Sequence, residues 1–352
     1  MRKTLMFALA AIGLATGTLA PAKLAFAGDQ LTIVSWGGAY QMAIRKAYFE
    51  PFTKTTGIKI TEDEYNGEIA KVRAMVESKN VSWDIVDTDA QLSIRGCALG
   101  LLERIDWKKL GLDRAKFMGD DKSDCGVPGT IAATVLAYDK NKLPNGPKTM
   151  DDLFDTKKFP GKRAVRKDPS GILEWALIAD GVPVKDVYEV LRTPEGVDRA
   201  FKKLDTIKKD VVWWTSLAQA VQLLADGQVV MTVAANGRIA DAVKNSGKNF
   251  EIVWDAQRLA AGIWVIPKGG LHLDDAYKFL AFASKPQPQA DLARYIPYGL
   301  ANKDAMALVD PAILPDLPTA PEHMNRAFYL DAAFWADKGE EFRQRFTAWL
   351  SK

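Results

Sequence analysis

Leu31-Thr32-Ile33-Val34-Ser35-Trp36-Gly37-Gly38 opens the decisive stretch of this chain, which runs on through Ile58-Lys59-Ile60-Thr61 to Trp83-Asp84-Ile85-Val86-Asp87. Each of these runs is short and rich in β-branched residues, the composition of a strand. Between the first two, Ala43, Ile44, Ala47, Tyr48 and Phe52 recur at helical spacing, and Gly57 closes the helix. Between the second and third, residues 68–78 read as another amphipathic helix. The order β-α-β-α-β predicts an open α/β sheet with helices on its faces. Ligands of such sheets sit beyond the carboxyl ends of the strands. That places Ser35-Trp36-Gly37-Gly38 and Asp87-Thr88-Asp89 at a binding edge.

Further strands follow at Thr134-Val135-Leu136-Ala137-Tyr138-Asp139, at 163–165, at 229–233 and at Ile263-Trp264-Val265-Ile266. Leu143-Pro144-Asn145-Gly146-Pro147 reads as a crossing into a second lobe. The late strand at 263–266 implies a return to the first. The expected organisation is two α/β lobes joined by a two-strand hinge. Residues 28–135 plus 262–315 form the first lobe, and 136–261 plus 316–352 the second.

The N-terminus carries Arg2 and Lys3, an apolar run over 5–14, and Ala25-Phe26-Ala27. This is the pattern of a secretory signal cleaved after Ala27. Gly13, Thr16, Gly17, Thr18 and Pro21 break the run too early for a membrane span, which needs about 20 apolar residues. Arg2, Lys3 and Lys23 leave with the signal, so the 47 Lys and Arg fall to 44, equal to the 44 Asp and Glu. A neutral mature chain has no electrostatic footprint for nucleic acid or an anionic membrane surface. In an exported protein Cys97 and Cys125, the only cysteines, read as a disulfide.

Catalytic and cofactor signatures are missing. His272 and His323 are the only histidines, and neither stands at metal-ligand spacing to a cysteine or the other histidine. There is no nucleophile elbow, phosphate loop or dinucleotide fingerprint. No cofactor and no metal are expected. A hydrolase working through a pair of cleft aspartates remains open, because carboxylate pairs leave no motif.

Eight segments in order resemble the polyamine-type (spermidine/putrescine-like) periplasmic solute-binding proteins of ABC transporters. They are Ser35 to Tyr40; Arg95-Gly96-Cys97 with Gly100-Leu101-Leu102-Glu103; Val135-Leu136-Ala137-Tyr138-Asp139; and Leu224-Ala225-Asp226-Gly227. The others are Asn236-Gly237-Arg238, Trp264 to Gly269, Ile296-Pro297-Tyr298-Gly299, and Asp331 with Phe334-Trp335-Ala336-Asp337. The resemblance implies a type II periplasmic-binding-protein fold, a monomer that closes over a small ligand and delivers it to permease subunits. The importer-independent alternative is a chemosensory clamp of the same shape.

The resemblance also implies ligand contacts. Ser35, Trp36, Gly37, Gly38 and Tyr40 occupy the turn that meets ligand in this group, and glycine there lets a ligand approach the backbone. Trp36 either stacks on the ligand or packs in the core. Asp89 ends the third strand. Asp168 either holds a ligand amine or caps the next helix. Ser216, Asn236 and Arg238 complete the set, Arg238 suiting a carboxylate or an interlobe or surface salt bridge. Two departures redirect the ligand. Ala235 replaces the tryptophan that relatives carry before Asn-Gly, and Arg258-Leu259-Ala260-Ala261-Gly262 replaces an acidic and aromatic stretch. A polyamine needs carboxylates and aromatic faces. A short ω-amino acid, held between Arg238 and Asp168 or Asp89, or a bulkier carboxylate, suits this sequence as well.

Overall fold

The computed structural model describes residues 30–119 and 123–352; the signal segment lies outside them. Ten strands form one sheet: β1 (Gln30–Ser35), β2 (Lys59–Glu64), β3 (Ile85–Asp89), β4 (Gly126–Asp139), β5 (Arg163–Arg166), β6 (Val211–Trp214), β7 (Met231–Ala235), β8 (Phe250–Val265), β9 (Gly299–Leu300) and β10 (Phe328–Tyr329). The order is β2-β1-β3-β8-β4-β7-β5-β6, with β9 beside β4 and β10 beside β8. β2-β1-β3 pair in parallel at one end and β7-β5-β6 at the other. Between them the long β4 and β8 run antiparallel through both halves.

Two lobes result because each half of this sheet buries its own core. Leu31, Ile33, Tyr48, Phe52, Trp264 and Phe279 pack together in the first lobe, with Val34, Val86, Val135 and Leu259 on the sheet's other face. Leu136, Leu173, Trp175, Phe201, Val253 and Ala256 pack in the second, against Phe334, Trp335, Phe342 and Phe346 of the C-terminal helix Ala332–Leu350. The cores thus change over between Val135 and Leu136 on β4, and between Ala256 and Leu259 on β8. Leu143 packs on the second lobe's core, so the chain has crossed before the 143–147 loop is reached.

The crossing hides inside β4 for a chemical reason. Pro128 and Gly129 look like breakers, since proline cannot donate to a ladder. Here they fall at a register shift between Pro128 and Thr130 that absorbs the missing bond. A second shift, where Thr134 faces Arg258 but Leu136 faces Val253, marks the hinge. Ala256 takes φ 48° there, a left-handed conformation uncommon outside glycine. The Cys97–Cys125 disulfide, with Cα atoms 5.6 Å apart, ties the end of helix Ala90–Ala98 to the entry of β4.

Candidate functional site

The strand ends and the hinge enclose a cleft of about 460 Å³, within the usual range for small-molecule sites. Trp36 follows β1, Asp87 and Asp89 end β3, Arg166 ends β5, Ala235 ends β7, and Arg258 to Gly262 lie on β8. Among the described residues, the cleft lining contains five arginines, at 95, 166, 238, 258 and 343, and five acids, Glu68, Asp87, Asp89, Asp168 and Glu340. A neutral wall made of opposed charges favours a ligand that carries both signs.

The floor is built by two antiparallel strands. Thr130 pairs with Gly262, Ala132 with Ala260, and Thr134 with Arg258, and all six line the cleft. Alternation along a strand puts them on one face, while Ile131, Ala133, Leu259 and Ile263 turn into the core. The floor therefore runs from Thr130 and Gly262, across two alanines, to Thr134 and Arg258. Arg258 donates to Ser170 Oγ at 2.7 Å and Thr134 Oγ1 at 3.3 Å, so hydroxyls rather than a carboxylate hold it.

Asp87 sits at the opposite end, almost wholly buried. Burial pushes its carboxyl up to about 7, against the lowering influence of Tyr40, Ser35 and Trp36; among the described residues no cation acts on it. Ser35 Oγ donates to it at 3.3 Å. Tyr40 and Tyr298, their rings 5.4 Å apart, stand over this end. Burial also raises Asp89, whose Oδ1 accepts Leu92 N–H at 2.8 Å and which Arg166 and Arg258 draw back down.

The sequence-predicted residues separate into three groups. Trp36, Tyr40, Asp89, Asp168 and Arg238 line the cleft. Trp36 does so while its ring packs on Tyr65 at 5.3 Å. Asp168 accepts Ser170 N–H at 2.9 Å, whereas the helix Ile172–Ala179 begins after Gly171, whose N–H goes to Glu174 at 2.8 Å. Ser35, Gly37 and Gly38 stand behind the wall. Gly37 and Gly38 have φ 64° and 61°, and a Cβ on Gly38 would meet Arg238 Nη1 at 2.6 Å. Ser216 and Asn236 lie outside the lining. Ser216 gives its N–H to Gln219 at the start of helix Leu217–Ala225. Asn236 accepts from Ala133 N–H at 3.1 Å and donates to Pro297 O at 2.7 Å, bracing the hinge.

Arg238 takes partners that the sequence did not suggest. Its Nη2 donates to Trp36 O at 2.9 Å and Gly37 O at 3.0 Å, joining the helix Asn236–Ser246 to the first lobe's turn. Asp87 belongs to the binding edge expected from sequence but not to the individual contacts; Arg166, Arg258 and Tyr298 were not among those contacts either. Its place as the last residue of β5 could have flagged Arg166. Among the described residues, no cluster of three or more His, Cys, Asp or Glu could hold a metal ion, and no helix is long and apolar enough to cross a membrane.

Comparison with known proteins agrees with this architecture. The chain is 44% identical to the gamma-aminobutyric acid-binding protein of Pseudomonas aeruginosa, over 98% of this chain and 96% of that one. It is 24% identical to the spermidine/putrescine-binding periplasmic protein of Salmonella typhimurium, over 92% and 91%. The crystal structure of the PBP MotA from A. tumefaciens B6 in complex with glucopine superposes with a TM-score of 0.85 at 35% identity, covering 91% of this chain and 99% of that one. The fold is that of the two-lobed periplasmic binding proteins, and the relatives are binding proteins rather than hydrolases. Residues 47–322 match the family described as bacterial extracellular solute-binding protein, and the chain belongs to that family.

Proposed function

We propose that this protein captures a short ω-amino acid between its lobes in the periplasm and hands it to the permease of an ABC importer. The observation that carries the reading is the cleft wall of five arginines matched by five acids. A polyamine, carrying only positive charge, would meet five guanidinium groups. The tryptophan and acidic positions that would favour it are Ala235 and the stretch from Ala260 to Gly262. A simple fatty acid would leave the aspartates facing apolar carbon, which is costly for a buried charge. A zwitterion answers both. Because Arg238 is engaged by two backbone carbonyls, Arg258 is the better-placed carboxylate ligand. The likeness to a gamma-aminobutyric acid-binding protein supports the same ligand class.

A second reading has its own support. A cleft of about 460 Å³ leaves room around a four-carbon amino acid, and the MotA structure holds glucopine. A larger amino-acid conjugate would use the same charges and more of the volume.

The test is a thermal-shift panel on the mature protein with 4-aminobutyrate, 5-aminovalerate, butyrate, putrescine, spermidine and glucopine. Ligand at one hundred times Kd adds about 2.7 kcal/mol to stability. A shift with the ω-amino acids and none with putrescine or butyrate is expected. A shift with putrescine or spermidine alone would reject the zwitterion, and a shift with glucopine alone would favour the larger conjugate.

A further inference from the structure

The cleft floor is polar at both ends and apolar in the middle, and this asymmetry fixes more than the ligand class. Gly262, Ala260 and Arg258 follow one another on one face of β8, with Thr130, Ala132 and Thr134 opposite. Four residues of strand span about 13 Å. At the Gly262 end a Cβ would lie 3.5 Å from Asp87 Oδ1 and 2.5 Å from Thr130 Oγ1, so glycine keeps the Asp87 carboxylate open to the cleft. At the other end Arg258 is oriented by Ser170 and Thr134. Between them only two methyl groups project.

Asp87 differs from the other cleft aspartates. Asp89 and Asp168 each accept a nearby backbone N–H, and Asp89 lies within the influence of Arg166 and Arg258. Among the described residues, Asp87 has a serine hydroxyl and aromatic neighbours acting on it but no cation. A buried carboxylate flanked by Tyr40, Tyr298 and Trp36 is the chemistry that recognises an ammonium group, by charge and by cation–π attraction.

Resting on the ω-amino-acid reading above, we propose that Asp87 is the ammonium-binding residue and that Ala132 and Ala260 set the permitted alkyl length. The ligand lies along the floor, its ammonium over Gly262 and its carboxylate at Arg258.

Ligand capture then depends on the Asp87 proton, because only the ionised carboxylate binds an ammonium strongly. Burial holds this carboxyl near 7 in the empty protein. Its titratable neighbours are Tyr40 and Tyr48 on the helix after β1, Tyr65 after β2, and Tyr298 before β9. Burial pushes all four upward, so they stay neutral around pH 7. Arg238 lies beside Tyr298. Glu68 and Asp89 are the acids that, with Asp87, act on Tyr65. For a group titrating near 7, affinity at pH 6 is about tenfold below that at pH 8.

The experiment is calorimetric titration of 4-aminobutyrate and 5-aminovalerate into the full mature protein between pH 6 and pH 8. Wild type, Asp87→Asn, Asp89→Asn and Ala260→Leu are compared. Wild type is expected to lose about tenfold in affinity over that interval, and Asp89→Asn to keep the slope. Asp87→Asn is expected to bind at least thirtyfold more weakly at pH 8 with a flat profile, and Ala260→Leu to penalise the longer ligand more than the shorter. The wild-type profile needs no variant to fold. A wild type that binds either ligand with flat affinity, or an Asp87→Asn that binds like wild type, overturns the assignment and leaves the ω-amino-acid reading intact. A wild type that binds no ω-amino acid overturns both.

Discussion

Arg238→Met separates two roles that a guanidinium in a binding cleft can play. In the structure Arg238 reaches from the second lobe's helix Asn236–Ser246 to the first lobe's turn, giving Nη2 to Trp36 O at 2.9 Å and Gly37 O at 3.0 Å. The side chain is only 6% exposed, so water cannot replace these bonds cheaply. A hydrogen bond from a charged donor contributes about 1.5–3 kcal/mol. One donor shared between two acceptors counts closer to one such bond than to two. Taking about 2 kcal/mol, the substitution should shift the balance between closed and open lobes by roughly thirtyfold. Methionine keeps an unbranched aliphatic stem but not the guanidinium atoms that lie against Gly38. The assay is titration calorimetry with 4-aminobutyrate and 1-butylamine, joined to small-angle scattering of the ligand-free and saturated protein. A latch weakens every ligand by the same factor, whether or not it carries a carboxylate, and makes the saturated protein more open. A direct carboxylate ligand weakens 4-aminobutyrate alone. Selective loss of 4-aminobutyrate, with butylamine affinity and lobe closure unchanged, would refute the latch.

Other consequences concern stability. Removing the Cys97–Cys125 bridge by a double serine substitution releases a loop with a sequence separation of 28. By loop entropy this costs about 3.5 kcal/mol, and urea unfolding under oxidising conditions should show the loss. Asp87 gives a pH signature without ligand. Its folded-state carboxyl lies near 7, above an unfolded value of about 3.9. The folded protein therefore keeps a proton that the unfolded chain has released between pH 4 and 7, and stability falls as pH rises through that window. Asp87→Asn, which cannot ionise, should exceed wild type by up to about 4 kcal/mol at pH 8. The two should converge near pH 4, as thermal unfolding across that range would register. Equal stabilities at pH 8 would mean that Asp87 is solvated rather than buried.

The first lobe was legible in the sequence because its strands obey local rules. The runs at 31–35 and 85–87 are β-branched, bounded by turns and separated by periodic helices. They place Trp36 and Asp89 at the cleft without any tertiary information. The hinge strands were less legible. β4 begins at Gly126, eight residues before its apolar run, and β8 carries Asp255, Gln257, Arg258 and three small residues in succession. Neither stretch resembles a strand until the partner supplies the ladder and the register shifts absorb the irregularities. Arg258 was legible only as the loss of an acidic and aromatic stretch. Its place beside Thr134 and Ser170 depends on pairing across 124 positions of chain and could not be read locally. Arg238 was visible as a guanidinium at a strand end, but the carbonyls it grips belong to the other lobe. Ser216 and Asn236 matched motif positions whose structural work here is a helix start and a hinge brace.

The most direct test of the account is calorimetric titration at pH 8 with three ligands of equal chain length: 4-aminobutyrate, butyrate and 1-butylamine. The balanced cleft predicts that 4-aminobutyrate binds at least one hundredfold more tightly than either, because each truncated ligand leaves one buried charge unanswered, a loss of about 3 kcal/mol or more. Equal or tighter binding of 1-butylamine would contradict the zwitterion cleft and return the protein to the simple amine binders it resembles.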